Sequence, residues 1–334
     1  MKIGSLFSGY GGLDIAVESF FHARTVWHAE FEDAPSKVLA HHWPGVPNHH
    51  DVSVVDWTAV KPVDIITGGF PCQDVSMAGK RAGMVEGTRS NLWGAMRTAV
   101  ETIRPRYVVI ENVRGLLSAT AQSDSDLEQR PGFMGDGSDV TLRAIGRVLG
   151  DLADIGYDAQ WYGLRAADIG APHGRYRVFI LATNTSRRTR RIAEVEHKRI
   201  QRLRADTLQT PTNTGGPTIG EYTGRSLAEE ARTRSSHRSG DPHREQPATN
   251  WGPYQPAIRR WERVLGRTTP APTELSAKGK PQLSPAFVEW MMGLNAGHVT
   301  SIDGISRANQ LKMLGNGVVP QQAYESLRRM KETA

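Results

Sequence analysis

Cys72 is the sole cysteine among 334 residues, so it can form no internal disulfide and join no multi-cysteine metal site. It lies in the stretch 64–76, DIITGGFPCQDVS. Val63, Ile65 and Ile66 follow Pro62 and run into Gly68-Gly69, the pattern of a buried strand that opens into a loop. A lone cysteine is ordinarily a small buried hydrophobe. Two glycines and a proline at the mouth of a strand, where open α/β sheets collect their ligands, argue instead for a thiol placed to attack. A second chemical group follows the same logic. Tyr107, Val108, Val109 and Ile110 form a buried strand that ends in Glu111-Asn112-Val113, so Glu111 sits where an acid partner of that thiol would be needed.

These groups need a scaffold, and the spacing of apolar residues supplies one. Residues 2–7 (KIGSLF) read as a strand, 8–12 (SGYGG) as a glycine turn and 13–18 as a helix. Glycines let backbone approach a ligand closely, and a helix N-terminus favours a negative group. Residues 25–30 form a second strand ending in Glu30, about 20 residues past the glycines, the distance at which an acid meets ribose hydroxyls in dinucleotide folds. Phe31 beside it could stack on an adenine or simply pack. Helices are predicted over 35–42, 92–103 and 140–152, and strands over 158–164 and 177–182. This alternation from 1 to 182 predicts an α/β fold with a doubly wound, mostly parallel sheet. His41, His42, His49 and His50 match no zinc spacing, and no metal is expected. Residues 80–89 read as a flexible glycine-rich segment and 118–138 as an exposed loop.

The composition changes after residue 183. Arg187, Arg188, Arg190 and Arg191 open a basic stretch that runs to Arg244 among Ser, Thr, Gly and Pro, suited to phosphate contacts and partly disordered on its own. Apolar order returns over 251–265 and 283–294, and residues 311–320 (LKMLGNGVVP) precede a last helix. The formal net charge is +6, which points to a polyanionic partner. The N-terminus lacks the marks of a signal peptide and no apolar run reaches membrane-span length, so a cytoplasmic, nucleoid-associated protein is expected.

With these motifs in order, the chain resembles the DNA (cytosine-5) methyltransferases from end to end. The likeness rests on FSGYGG at 7–12, GGFPCQ at 68–73, ENV at 111–113, Arg175-Tyr176-Arg177, the stretch 283–294 and GNGVVP at 315–320. One departure is His173, where the family commonly has glutamine. The resemblance implies a Rossmann-like methyltransferase domain over 1–183, a smaller target-recognition domain over 184–300, and a segment 301–334 returning to the first. It implies S-adenosylmethionine as cofactor, held by Phe7, Gly9, Tyr10, Gly11, Gly12, Glu30, Phe31, Asp51, Val52, Gly69, Pro71, Leu92, Asn316 and Val318. Catalysis would fall to Cys72, Glu111, Arg175 and Arg177, and DNA contacts to Gln73, Ser76, Arg187, Arg188, Arg190 and Arg191. The partner is double-stranded DNA bound by a monomer, with a cognate restriction endonuclease as a further candidate.

The chemistry expected of such residues is specific. Carbon 5 of cytosine is a poor nucleophile until a thiolate adds at carbon 6, and a cysteine of ordinary pKa near 8.5 needs a cation or backbone amides to ionise. Glu111 with a shareable proton would bond the ring nitrogen and amine, and Arg177 and Arg175 would hold the carbonyl or a nearby phosphate. Since the target lies inside a stacked duplex, the base must be flipped out. Two other readings fit part of the pattern: a catalytically silent DNA-binding relative, and a pyrimidine-nucleotide methylase.

Overall fold

The computed structural model describes residues 1–71, 92–118, 144–185 and 249–332. Cys72, Gln73, Ser76, Arg187, Arg188, Arg190 and Arg191 lie outside the described residues, as do the segments 80–89 and 119–138. The described residues before 186 and from Trp251 onward belong to one compact unit.

Its centre is a six-stranded sheet built from β1 (Lys2–Leu6), β2 (Arg24–Ala29), β3 (Ile65–Gly68), β4 (Tyr107–Val113), β5 (Tyr157–Arg165) and β6 (Tyr176–Asn184), in the order β2-β1-β3-β4-β6-β5. The pairs β1/β2, β1/β3 and β3/β4 are parallel, while β6 runs antiparallel to both neighbours. The short apolar runs IITG and YVVI sit at the middle of this sheet, buried on both faces as parallel strands require. Order reverses at β1, whose neighbours are β2 on one side and β3 on the other. The crevice beyond the C-terminal ends of β1 and β3 is therefore the topological switch point, where open α/β sheets bind ligands.

Helices cover both faces. On one lie α1 (Gly12–Phe21) and the last helix, whose Leu13, Val17, Ala323 and Leu327 pack on Ile3, Ile65, Val109 and Phe179. On the other lie α3 (Leu92–Ile103) and α4 (Ala144–Asp154), where Met96, Val100, Val148 and Leu152 meet Ile66, Val108, Ile110 and Val178. Between β2 and β3 the chain forms α2 (Asp33–His42) and then turns.

The C-terminal third adds α5 (Gln255–Leu265), a hairpin of β7 (Thr273–Leu275) and β8 (Pro281–Leu283), α6 (Pro285–Met291), α7 (Arg307–Asn316) and α8 (Pro320–Glu332). Ile258, Trp261, Trp290, Met292, Leu294 and Val299 share one cluster with Tyr10, Val38 and Ala166. Residues 251–300, expected in a separate recognition domain, thus pack with the sheet-bearing unit. The reason is their amphipathic pattern: Ile258 and Trp261, three apart on α5, give that helix an apolar side to bury.

Candidate active site

Four strand ends converge on the crevice. The turn after β1 puts Phe7, Gly9 and Gly11 at positive φ, and α1 begins at Gly12. Glu30 directly follows β2, buried, with one carboxylate oxygen accepting from Gly9 N–H and the other from Glu32 N–H, both at 2.9 Å. Burial holds its carboxyl above the usual range despite those donors. Asn48 fixes the backbone here, its amide accepting from Glu30 N–H and donating to Glu30 O. Asn48 forms a single parallel bridge to His28, a long-range pairing that apolar spacing does not mark. Phe31 is 73% exposed and projects beside Glu30. Val52 is buried, and Asp51 spends its carboxylate on the N–H and hydroxyl of Ser53.

The loop after β3 begins against the acid. A side-chain carbon at Gly69 would stand 3.1 Å from Glu111 Oε2, so glycine lets this backbone pass beside the carboxylate. Asn112 donates to Phe70 O at 3.2 Å, pinning the same loop. Pro71 is exposed and is the last described residue before Cys72. Leu92, at the start of α3, packs partly buried against the same core.

Glu111 is buried, and Arg177 Nε stands 2.7 Å from its Oε1. The pair falls short of hydrogen-bond alignment, and both atoms are buried without a hydrogen-bond partner. Antiparallel β6 makes this meeting possible. Its first residues lie beside the last of β4, Arg177 opposite Val113 and Phe179 opposite Glu111, so Arg177 and Glu111 are diagonal neighbours on one face. Burial raises the Glu111 carboxyl, with Arg177 and then Arg175 pulling the other way. The geometry sets a buried carboxyl directly beside a guanidinium, an arrangement able to bond one ring atom and offset charge on another.

Arg175 does something different from Arg177. Its Nη1 and Nη2 donate to the carbonyls of Gly315 and Gly317, each at 2.6 Å. Burial, then the charge of Arg177, lower its guanidinium to about 10. Expected among the catalytic groups, it clamps the closing motif and touches Glu111 through charge alone. Tyr10, expected at the cofactor, is wholly buried and donates its hydroxyl to Val318 O at 2.6 Å. Gly317 is needed for that docking, since a Cβ there would stand 1.9 Å from the tyrosine ring. His298 Nε2 lies 2.8 Å from Tyr10 O, a contact between residues 288 apart that no local signal could reveal. His173 Nε2 lies 3.0 Å from Met291 O, which ties the arginine motif to α6. Asn316 is exposed at the end of α7, and Val318 is buried. Among the described residues no group of His, Cys, Asp and Glu could hold a metal ion, and no helix is long and apolar enough to cross a membrane.

A parallel sheet with a glycine turn at its switch point, an acid ending the next strand and one antiparallel strand define a Rossmann-like methyltransferase fold. Two solved structures share it: the methyltransferase EhMeth of Entamoeba histolytica (TM-score 0.55, 13% identity, covering 100% of this chain and 98% of that one) and the Dnmt2 methyltransferase of S. pombe (0.55, 14%, 100% of each). A family model for C-5 cytosine-specific DNA methylase matches residues 1–332, and the chain belongs to that family. Similar curated proteins include the type II methyltransferases M.NgoFVII of Neisseria gonorrhoeae, 33% identical over 54% of this chain and 43% of that protein, and M.Eco47II of Escherichia coli, 38% identical over 35% of this chain and 28% of that one. The chain thus matches less than half the length of these relatives.

Proposed function

We propose that this protein transfers a methyl group from S-adenosylmethionine to carbon 5 of a cytosine flipped out of duplex DNA. The observation that carries the reading is the buried Glu111–Arg177 pair at 2.7 Å, beside the glycine that opens the loop to Cys72. Glu30, Phe31 and the left-handed turn at Gly9 and Gly11 suit a nucleoside with an amino-acid tail: an acid for ribose hydroxyls, an exposed ring for a base, and backbone free of side chains. When bound, S-adenosylmethionine supplies an electrophilic methyl on sulfonium sulfur. The Cys72 thiolate adds to carbon 6, Glu111 donates to the ring nitrogen, and carbon 5 gains the nucleophilic character the transfer needs. Arg177 fixes the Glu111 carboxyl and offsets negative charge pushed toward the pyrimidine carbonyl. Carbon 5 takes the methyl as the sulfonium becomes a neutral thioether, the carbon 5 proton passes to water, Cys72 leaves as a thiolate and Glu111 takes back the ring-nitrogen proton, which restores the aromatic ring.

Residues 184–250 are the segment from which we would draw target recognition, and a restriction partner is a proposal the type II relatives support. The test is methyl transfer from labelled S-adenosylmethionine to duplex DNA and to free cytidine nucleotide, with wild type and Cys72→Ser. Duplex-dependent labelling by wild type and none by the serine variant is expected. Labelling of free nucleotide alone would favour a nucleotide methylase, and labelling by Cys72→Ser would sink the covalent route.

A further inference from the structure

One rung back from Gly69 and Glu111, the sheet carries polar side chains that the chemistry above does not use. Ser5 on β1 and Thr67 on β3 stand opposite each other, both buried, on the face covered by α1. Asp14, 1% exposed in the first turn of α1, bridges them: Thr67 Oγ1 donates to its Oδ1 at 2.6 Å, and Ser5 Oγ to its Oδ2 at 2.8 Å. Ser8, in the glycine turn itself, lies 2.7 Å from Ser5 Oγ and 3.3 Å from His28 Nδ1.

Counting protons gives this chain a direction. Each hydroxyl has one proton to donate. That of Ser5 goes to Asp14, so Ser8 must donate to Ser5, and His28 must then donate from Nδ1 to Ser8. The other ring nitrogen of His28, Nε2, is left bare, and it is buried without a hydrogen-bond partner. Burial keeps His28 neutral, its imidazolium falling to about 4. Four elements are joined in one line, β2, the glycine turn, β1 and α1, and Thr67 ties β3 to its end at Asp14.

We propose that Asp14 is a positioning residue for cofactor binding, acting through a one-way hydrogen-bond chain Asp14, Ser5, Ser8, His28 that holds the hydroxyl of Ser8 down into the sheet and so fixes the shape of the glycine turn. This rests on the reading of the turn as the S-adenosylmethionine site. Asp14→Asn makes the chain testable, because an amide offers one acceptor and one donor side. Thr67 has Asp14 as its acceptor, so the variant's oxygen serves Thr67 and its amine faces Ser5. Ser5 then donates to Ser8, Ser8 to His28 Nδ1, and the histidine proton moves to Nε2.

The experiment measures binding of S-adenosylhomocysteine by calorimetry, duplex DNA binding, and the ring nitrogen shifts of 15N-labelled histidine with His28 assigned. Wild type should show the Nδ1–H form. Asp14→Asn should show Nε2–H and bind S-adenosylhomocysteine roughly tenfold more weakly, on the scale of one lost charge-assisted hydrogen bond, with DNA affinity unchanged. Ser8→Ala, at the half-exposed turn, guards against a folding failure and should weaken the same ligand in the same direction. An Nε2–H form in wild type, an unchanged His28 in Asp14→Asn, or ligand affinity within twofold of wild type in both variants overturns the proposal. Failure of wild type to bind S-adenosylhomocysteine at all would instead overturn the reading of the turn.

Discussion

Glu111 and Asp14 are two buried carboxyls within one sheet's end, and their surroundings set them to different tasks. Glu111 has a guanidinium beside it and an oxygen without a hydrogen-bond partner. Glu111→Gln keeps size but removes the shareable proton, so kcat should fall by roughly 10² to 10⁴, the usual range for a general acid–base group. Single-turnover methylation at saturating cofactor and DNA would measure it, and an unchanged rate would assign the role elsewhere. Asp14 has two hydroxyl donors, yet burial, with Glu18 and Glu30 adding to it, lifts its carboxyl from 3.8 to about 6. The folded chain therefore holds this proton more tightly than the unfolded one. Stability from this group is full below about pH 4 and declines as pH rises to 6, then stays level, a loss of about 3 kcal/mol for a gap of about two pH units. Urea unfolding of wild type and Asp14→Asn should converge or cross between pH 4.5 and 7, the wild type losing ground as pH rises. Parallel curves would show that the carboxyl is not perturbed.

At the scale of elements, β6 decides whether the site exists. Were it parallel to β4, the arginine motif that precedes it would stand at the opposite edge of the sheet from Glu111. The sequence alone predicted a mostly parallel sheet without saying which strand breaks the pattern, because apolar spacing carries no direction. Glu30 and Glu111 were legible since each ends an apolar run, and α3 has the bounds its periodicity predicted. The contacts of Tyr10 and Arg175 were not legible, because their partners Val318, Gly315 and Gly317 lie far along the chain and are backbone carbonyls, which every residue has. The closing motif itself is explained by fit. Gly317→Ala would drive a methyl group into the ring of Tyr10 and should cost about 1–3 kcal/mol, as overpacking does. Thermal unfolding would register this as a lower Tm, and Tyr10→Leu in the same chain should recover part of it. An unaltered Tm would mean the motif is loose.

On the scale of the whole molecule, the proposed division of labour assigns the chemistry to the sheet-bearing unit and DNA contact to the basic stretch of sequence after it. Neutralising Arg187, Arg188, Arg190 and Arg191 together should weaken binding to all duplex sequences, each lost phosphate contact lowering the log–log salt slope by about 0.9. Methylation at saturating DNA should persist, because none of the four belongs to the chemical motifs. A salt slope equal to that of wild type would leave them as solvated charge.

The bond from Tyr10 to Val318 spans 308 residues, and it gives the glycine turn a birth date. At synthesis rates of about 5–20 residues per second, the tyrosine waits on the order of 15 to 60 s before its acceptor is made. During that interval the turn, α1 and β1 lack the glycines and carbonyls that fix them, and His298 arrives only near the end. A ribosome-bound chain stopped short of the closing motif would carry Cys72, Glu111 and Arg177 complete in sequence and still lack the carbonyl that holds Tyr10.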